Sequence, residues 1–408
     1  MNFVSLTEDE FTSFVDKQPT KNFFQTIMMK KRLDGEGVNT FLVGVKENDE
    51  VIAASLIAET NHSFMGKKTY EAYKGFILDY NNEELLSFMT QEVKKFLKEK
   101  NALRLIIDPY IPNVSRDAEA NIVPGIDNRH VVDCLKKLGY LENPDGAQVK
   151  WCYCLDINGK TSEELLQEMR NSTRNYINRT ITKYKLNIKT LKKEELSEFK
   201  KITSDTCDRR SFADKSLKYY EDMYDAFKDQ VTFKVCELNC DTYINVLEEE
   251  NSTFTKKLEE LSDSSSNQNK KKVMRESIES NLKKIEDTKK IKEEKGNIVP
   301  LSAAMFILYG DEIIYLFSGS YEEYMSFCGQ YRLQWEIIKY AADNGYKRYN
   351  FYGIQDVFNP KGKDRGVYEF KKGFGGYVEE LLGSFILPIS SKNSLYNGLR
   401  KVKRIVKK

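Results

Sequence analysis

The feature that most constrains the fold is one layout that occurs twice along the chain. Residues 73–110, YKGFILDYNNEELLSFMTQEVKKFLKEKNALRLIIDPY, read as a strand, a loop, an amphipathic helix and a buried strand. Residues 315–354 repeat that order, with the helix over QWEIIKYAADNG and the last strand over KRYNFYGI. Two copies of one mixed unit predict an α/β (α+β) fold with two tandem domains.

The domain boundaries follow from where the repeat starts, stops and is interrupted. We place the first domain at 1–150, the second at 151–240 and 298–390, and a basic tail at 391–408. Residues 241–297 are almost entirely polar and interrupt the second copy. They carry two thin apolar seams on either side of the turn SDSSSNQN: Leu247, Phe254, Leu258 and Leu261, then Met274, Ile278, Leu282 and Ile285.

The interrupting segment predicts an antiparallel coiled-coil arm, because two matched seams can bury each other. The alternative is a disordered insert, which its polarity also permits. Lysine pairs and triplets lie on the outer faces. They are interpreted either as a solvated helix surface or as a basic arm for RNA.

Composition excludes several classes of protein. The 64 Lys and Arg nearly cancel the 62 Asp and Glu, so any basic surface must be local. Seven scattered cysteines and two histidines have no metal-type spacing, and neither a GxSxG nor an HExxH motif occurs. No signal peptide and no apolar run of about 20 residues is present. We therefore expect a cytoplasmic protein with reduced thiols and no metal.

The stretch 368–377, YEFKKGFGGY, holds a lysine pair between two phenylalanines. Interpreted as a strand, it places Phe370 and Lys372 on one face and Lys371 on the other. An edge strand that uses lysine to discourage pairing is one interpretation. The other is an anion clamp at Lys371, in which aromatic neighbours strengthen the attraction to an oxyanion, while Lys372 faces water.

Two further stretches are rich in polar and aromatic residues. In CDRRSFADKSLKYYEDMY, residues 207–224, Lys215 and Tyr219 are four apart and would share one face of a helix. They could grip a phosphate or form an ordinary surface pair. In YLFSGSYEEY, residues 315–324, the small residues 318–320 predict a close approach by a ligand. His130 lies beside two valines and is expected to pack rather than to act as a base.

The collinear set FADKSLKYY, YLFSGS, QWEIIKYA, YNFYGI and YEFKKGFGG resembles the Fem peptidyltransferase family, its MurN-type members above all. The likeness spans essentially the whole chain, including FFQTI near the start and the predicted arm. The resemblance implies two acetyltransferase-like (GNAT) domains. It also implies transfer of an amino acid from aminoacyl-tRNA to the stem-peptide lysine of a peptidoglycan precursor.

The resemblance implies roles for individual residues by position. The catalytic lysine of the family falls on Lys371, with Phe370 before it. The arginine and tyrosine that bind the phosphates of the precursor fall on Lys215 and Tyr219, where lysine replaces a bidentate fork with a point charge. A precursor-binding tyrosine falls on Phe317, which lacks the hydroxyl.

Three weaker assignments complete the set. A lysine of the first domain falls on Lys31, with Lys30 as the competitor, and Tyr315 is a further substrate contact. The family aspartate falls on Asp108, either as a general base or as a structural cap before Pro109.

The resemblance implies aminoacyl-tRNA as co-substrate, no separate cofactor, and lipid II or UDP-MurNAc-pentapeptide as acceptor. Alanine is favoured over serine and glycine. The tail LRKVKRIVKK, 399–408, predicts contact with the inner face of the membrane or a solubilising end. Two other functions stay open: an acyl-CoA-dependent N-acyltransferase, which the single glycine of SFCGQYRLQWE disfavours, and a non-catalytic tRNA-binding protein.

Overall fold

The chain folds around two β-sheets in a computed structural model that describes residues 1–144, 146, 148–210 and 212–406, with side chains as far as residue 399. The strands are β1 (Asn2–Ser5), β2 (Thr40–Glu47), β3 (Glu50–Phe64), β4 (Lys67–Ala72), β5 (Ala102–Ile107), β6 (Pro112–Arg116), β7 (Ile122–Asp127), β8 (Leu141–Glu142), β9 (Trp151–Asp156), β10 (Asn187–Thr190), β11 (Val231–Asn239), β12 (Ile298–Tyr309), β13 (Glu312–Ser320), β14 (Arg348–Gly353), β15 (Tyr377–Leu381) and β16 (Phe385–Pro388). The helices are α1 (Glu8–Val15), α2 (Ile27–Gly35), α3 (Glu83–Glu99), α4 (Arg129–Lys137), α5 (Ser162–Glu168), α6 (Asn171–Thr182), α7 (Leu196–Arg210), α8 (Leu217–Phe227), α9 (Cys240–Glu260), α10 (Gln268–Lys295), α11 (Gly329–Asp343), α12 (Arg365–Lys372) and α13 (Lys392–Val406).

The two sheets share one arrangement. Sheet A has the order β1-β2-β3-β4-β5-β16-β8, and sheet B has the order β10-β11-β12-β13-β14-β9-β15-β6-β7. Each contains one parallel pair among its described strands, β4 with β5 and β13 with β14. A helix joins the strands of each pair, α3 in the first and α11 in the second, as a parallel connection requires. The mixed α/β class and the duplicated layout predicted from the sequence are confirmed.

The halves exchange strands, so the boundary predicted at residue 150 does not separate the sheets. Strand β16, from the end of the chain, pairs with β5 in sheet A, and β9 pairs with β14 in sheet B. Strands β6 and β7 lie before residue 150 but extend sheet B. Each half therefore contributes strands to the sheet of the other, β6 and β7 to sheet B and β16 to sheet A, and the two sheets depend on each other.

Both faces of the central strands are buried, which explains their unbroken apolar runs. In β12, Ala303, Met305 and Ile307 face a core shared by the two sheets, which we call the middle core. Ala304 and Phe306 face the other core of sheet B, which we call the outer core. Helices α1, α2, α7 and α8 pack into the middle core, whereas α5, α6, α11 and α12 pack into the outer core.

Helices α9 and α10 form the segment that interrupts the second half. They run antiparallel, because Lys292 pairs with Asp241 at the base (2.6 Å) and Asn281 donates to Asn251 farther out (3.1 Å). Asn281 is buried, whereas Leu282 is 56% exposed, so placing Leu282 in the seam was wrong. The seam follows a spacing of three and four residues that reaches 281 rather than 282.

The C-terminal helix α13 packs on sheet A. Asn393 is buried, and Tyr396 meets the ring of Phe64 at 5.3 Å and the guanidinium of Arg104 at 4.4 Å. Of the predicted membrane segment 399–408, only the side chain of residue 399 belongs to the described part of the structure. No helix in the described part of the chain combines the length and the apolar character needed to cross a membrane.

Candidate functional site

The FKKGF stretch ends helix α12, so its interpretation as a strand was wrong. Tyr368, Lys371 and Lys372 lie three and four residues apart and are all buried, which is the helical rather than the alternating period. Lys372 does not face water as predicted, because it forms an ion pair with Glu119 from the turn between β6 and β7. The partly buried Arg365–Glu369 ion pair, whose atoms are 2.7 Å apart and whose residues are one turn apart, supports the helix.

Lys371 reaches the point where the parallel strands of sheet B diverge. Its Nζ donates to the carbonyl oxygen of Gly353, the last residue of β14 (2.6 Å), and lies 5.8 Å from the ring centre of Tyr315. Tyr315 follows Ile314, the last residue of β13 that pairs with β14. Burial lowers the pKa of Lys371 to about 8, so the ammonium form still predominates at neutral pH.

Aromatic rings fix the surroundings of Lys371. Phe370 meets Tyr331 at 4.9 Å and Phe374 at 5.3 Å, both nearly edge-on. The hydroxyl of Tyr315 donates to Oε1 of Gln330 (3.1 Å). Burial raises the pKa of Tyr315 to about 12, so its phenol stays neutral. Lys371 is therefore a cation held in a largely apolar frame.

A second group of side chains lies on the opposite face of sheet B. The ring of Tyr219 is 5.8 Å from that of Phe317, 4.9 Å from the guanidinium of Arg32 and 5.0 Å from the ammonium of Lys215. Lys215 is not on a helix as predicted, because Ser216 caps α8 and the helix begins at Leu217. The ammonium nevertheless lies near the phenol, and the group presents two cations around one ring.

An irregularity in β13 explains how the two groups come to share one strand. The pairing of β12 with β13 shifts between Met305 and Phe306, so Leu316 is an extra residue. Tyr315 consequently faces the outer core, and Phe317 packs against the middle core. Without the shift, the two residues would point the same way.

Arg32, which the sequence interpretation did not single out, lies beside the ring of Tyr219. The side chain of Lys31 is 63% exposed beside Glu8, and Lys30 pairs with Asp34. The side chain of Arg32 is only 9% exposed and pairs with Glu36 at 2.8 Å. The three adjacent cations differ only in the direction in which α2 points each side chain. The sequence of a helix this short does not predict how the helix is rotated about its axis.

The cavity beside α2 is a poor place for an anion. It measures about 520 Å³ and lies between α2 and α8. Lys31, Arg32 and Lys228 line it together with Asp222, Asp225 and Asp229. The three carboxylates offset the three cations, so this cavity has no excess positive charge to attract an anion.

Asp108 is buried in an ion pair. Its carboxylate lies 3.0 Å from Nζ of Lys74 and accepts the backbone N–H of the same residue at 3.1 Å. The Lys74 ammonium also donates to the carbonyl oxygen of Val149 (3.2 Å). This geometry fits the structural interpretation of Asp108 better than a base in contact with substrate.

Two other predictions were wrong. Gly319 allows the approach of helix α7 rather than of a ligand, since a Cβ there would lie 2.4 Å from the carbonyl oxygen of Ile202. His130 does not pack in a core; it is exposed, and its Nε2 shares a hydrogen bond with Oδ1 of Asn81 (2.8 Å).

Comparisons with known proteins agree with this architecture. A family model described as the FemAB family matches residues 6–401. The chain is 33% identical to aminoacyltransferase FemA of Staphylococcus aureus strain RF122 over 418 residues, which cover 99% of both chains. FemA of S. aureus strain NCTC 8325 shows the same identity and coverage. The crystal structure of FemX matches with a TM-score of 0.74 at 21% identity, over 97% of this chain and 99% of that one.

Proposed function

Since the chain belongs to the FemAB family, we propose that it moves an amino acid from aminoacyl-tRNA to the lysine side-chain branch of a peptidoglycan precursor. Membership confirms the family resemblance read from the sequence. The relatives named aminoacyltransferase FemA likewise agree with the expected class of enzyme. The RNA donor, the amino acid and the acting residues belong to the proposal.

The placement of Lys371 supports the proposal most directly. A buried ammonium lies where the parallel strands of sheet B separate, and the carbonyl oxygen of Gly353 accepts a hydrogen bond from one of its N–H groups. The remaining N–H groups can face a reacting carbonyl. A preorganised donor in such a site stabilises an oxyanion by roughly 3–4 kcal/mol.

The reaction balances without a covalent enzyme intermediate. The acceptor amine, deprotonated although its usual pKa is near 10.4, attacks the ester carbon of the aminoacyl group. Lys371 stabilises the resulting oxyanion. The ester C–O bond then breaks, an amide bond remains, and the ribose oxygen takes the proton that the amine loses.

The acceptor approaches from the middle-core face in this proposal. Arg32 and Lys215 flank Tyr219 there and would bind the phosphates of the precursor. Arginine offers a planar fork of donors, so Arg32, which uses Nη1 to pair with Glu36, would supply with its other N–H groups the geometry that a lysine at 215 lacks. Phe317 contributes its ring to this site and no hydroxyl.

The beginning of α11 favours an RNA donor over an acyl-CoA. A Cβ on Gly329 would lie 2.4 Å from Oγ of Ser302, so this helix end is packed against β12. The amide of Gln330 donates to the carbonyl oxygens of Ala303 and Gly319 (3.2 and 2.8 Å). This region therefore offers little room for a pyrophosphate cradle of the kind that helix N-termini provide.

Reconstitution tests the proposal. The protein would be incubated with a mixture of charged tRNAs and either lysine-containing lipid II or UDP-MurNAc-pentapeptide, and the products would be read by mass. We expect one added residue, alanine in preference to serine or glycine. Tight CoA binding with no response to charged tRNA would instead support an acyl-CoA enzyme. Binding of tRNA without any transfer would indicate a non-catalytic protein.

The helical arm is proposed as a second contact for the tRNA. Its base packs into the outer core through Leu247 and Ile285, so deleting the whole arm would damage the fold. Replacing 252–280 with a short glycine linker keeps the base intact. We expect weaker tRNA binding and a smaller salt dependence of that binding, because fewer lysines would meet phosphate. Unchanged binding would assign the lysines to solubility.

A further inference from the structure

The loop between β14 and α12 exposes the aromatic ring of Phe358 to solvent. Ile354 and Val357 anchor the loop in the outer core, and the carboxylate of Asp356 accepts the backbone N–H of Asp364 (2.8 Å). A Cβ on Gly362 would lie 2.3 Å from both oxygens of that carboxylate, so the turn is tightly packed. Phe358 projects from this fixed loop and is 67% exposed.

Phe358 belongs to a small surface that we call the aromatic platform: Trp151, Phe358, Arg116 and Lys150. The two rings meet edge-on with centres 5.3 Å apart. The guanidinium of Arg116 lies 5.1 Å from the ring centre of Trp151 and 5.7 Å from that of Phe358. The ammonium of Lys150 lies 5.6 Å from Trp151. Neighbouring side chains thus surround Trp151, while Phe358 offers a ring to solvent.

The platform carries net positive charge. The buried carboxylate of Glu380 accepts both Arg116 (2.7 Å) and Lys150 (3.1 Å), which leaves one cation in excess. The loop adds two lysines and two aspartates: Lys361 and Lys363 are exposed, whereas Asp356 and Asp364 are partly buried in its turn. An exposed ring among cations is the combination with which proteins hold single-stranded nucleic acid.

The platform begins close to Lys371. The carbonyl oxygen of Gly353 accepts the Lys371 ammonium, and the next residue, Ile354, donates its N–H to the carbonyl oxygen of Trp151 (2.9 Å). Trp151 packs against the outer core, on the face of sheet B that α12 covers. A chain lying on the platform could therefore deliver its end group to Lys371, opposite the face proposed for the acceptor.

We propose that the aromatic platform stacks an unpaired base of the tRNA 3′ end, one of the nucleotides that precede the aminoacylated adenosine. This inference rests on the proposed function, because it takes an RNA donor as given. The face of Phe358 binds the base, and Arg116, Lys150 and the loop lysines bind the flanking phosphates. Stacking on a ring does not depend on the identity of the base, which suits an end sequence common to all tRNAs.

Fluorescence provides a test that does not require turnover. The chain contains two tryptophans, so Trp335→Phe leaves Trp151 as the only one. Titration with the RNA oligonucleotide ACCA should quench Trp151, and the affinity should fall as salt rises. Phe358→Ala in the same background should weaken binding by about tenfold, within the range for one stacked base. Phe358→Tyr, which keeps the ring, should restore it.

Tyr340→Ala is the matched control, because Tyr340 is an exposed aromatic residue on α11, 42% exposed and outside the platform. It should leave the affinity unchanged. In steady-state transfer, Phe358→Ala should raise the KM for charged tRNA and leave the KM of the acceptor alone. Equal affinity in Phe358→Ala and the parent would overturn the platform even if transfer proceeds. Absence of transfer from every charged tRNA by the wild type would overturn the proposed function instead.

Discussion

The two halves place a lysine at corresponding points and treat it differently. Lys74 follows β4 near the end of the parallel pair of sheet A, and Lys371 lies at the divergent end of the pair in sheet B. Lys74 has the carboxylate of Asp108 at 3.0 Å, and its side chain is 1% exposed. Within the described part of the chain, Lys371 donates its hydrogen bond to a carbonyl oxygen rather than to a carboxylate.

The difference teaches what distinguishes a structural lysine from one available for chemistry. The carboxylate of Asp108 neutralises the charge of Lys74 in the interior, so the pair attracts a further anion only weakly. A carbonyl dipole leaves Lys371 with its full charge in a medium of low polarity, where attraction to an oxyanion is strongest. The first half would then support the fold, and the second would carry the reaction.

The largest expected effect is on stability, in the first half. Asp108→Asn should lower the free energy of unfolding by about 3–5 kcal/mol, because Lys74 would be left buried without a counter-ion. Denaturant unfolding measures it. The double variant Lys74→Met/Asp108→Leu should recover much of the loss. An Asp108→Asn protein that is fully stable but inactive would return Asp108 to the role of base.

The corresponding change in the second half should affect activity and spare the fold. Lys371→Met should lower kcat by about 100- to 1000-fold, the usual effect of removing one oxyanion donor. Lys372→Met is the matched control, since it removes the neighbouring buried lysine of the same helix, whose partner Glu119 is half exposed. We expect a much smaller change there. Full turnover by Lys371→Met would remove the distinction between the halves.

The burial of Lys371 should also make the free energy of unfolding depend on pH. Its folded pKa of about 8 lies below the usual value of 10.5, so between these values the unfolded chain holds a proton that the folded chain has lost. The wild type therefore gains stability relative to Lys371→Met as pH rises through that window. At neutral pH the variant should be more stable by roughly 1–3 kcal/mol. Parallel unfolding curves at all pH values would contradict a buried, charged lysine.

The repeated layout could be predicted because it depends on local patterns. Buried strands gave long apolar runs, and α3 and α11 showed clear helical spacing between them. The exchange of β6 and β7 for β16 could not be predicted, since the choice of a pairing partner depends on contacts far apart in the chain. Two strands of equal character can fill either sheet, and only the assembled fold decides.

The candidate site shows the same limit at the scale of single residues. FKKGF fits either period over five residues, and burial of Lys372 depends on Glu119, which lies more than two hundred positions away. Arg32 could not be chosen over Lys31 without the rotation of α2. Tyr315 and Phe317 point to opposite faces of sheet B because β13 contains one extra residue between them. The positions of the motifs were enough to identify these residues as candidates. The direction in which each side chain points could be seen only in the three-dimensional structure.

The smallest expected effect concerns a surface of sheet A, formed by the β3–β4 turn and α13, that lies away from the proposed reaction site. Met65 at the β3–β4 turn and Leu395 and Leu399 on α13 are 58%, 52% and 47% exposed, and Lys392 joins the two elements by donating to the carbonyl oxygen of Met65 (3.3 Å). Seven Lys and Arg lie in the tail from 391 onward, without an acidic residue. Exposed apolar residues within a basic stretch of sequence are typical of segments that bind an anionic lipid surface, and we propose such a contact here.

Flotation with vesicles measures that docking. Leu395→Ser/Leu399→Ser should weaken binding to phosphatidylglycerol vesicles by about tenfold, since two partly inserted leucines would be lost. Leu282→Ser, at a leucine 56% exposed on α10, is the control and should bind as the wild type does. Turnover of the water-soluble UDP-linked acceptor should be unchanged in the double variant, because the proposed reaction site lies in the other half. A double variant that loses turnover on both acceptors would show that the surface of sheet A is coupled to the site on sheet B, and the division between the halves would fail.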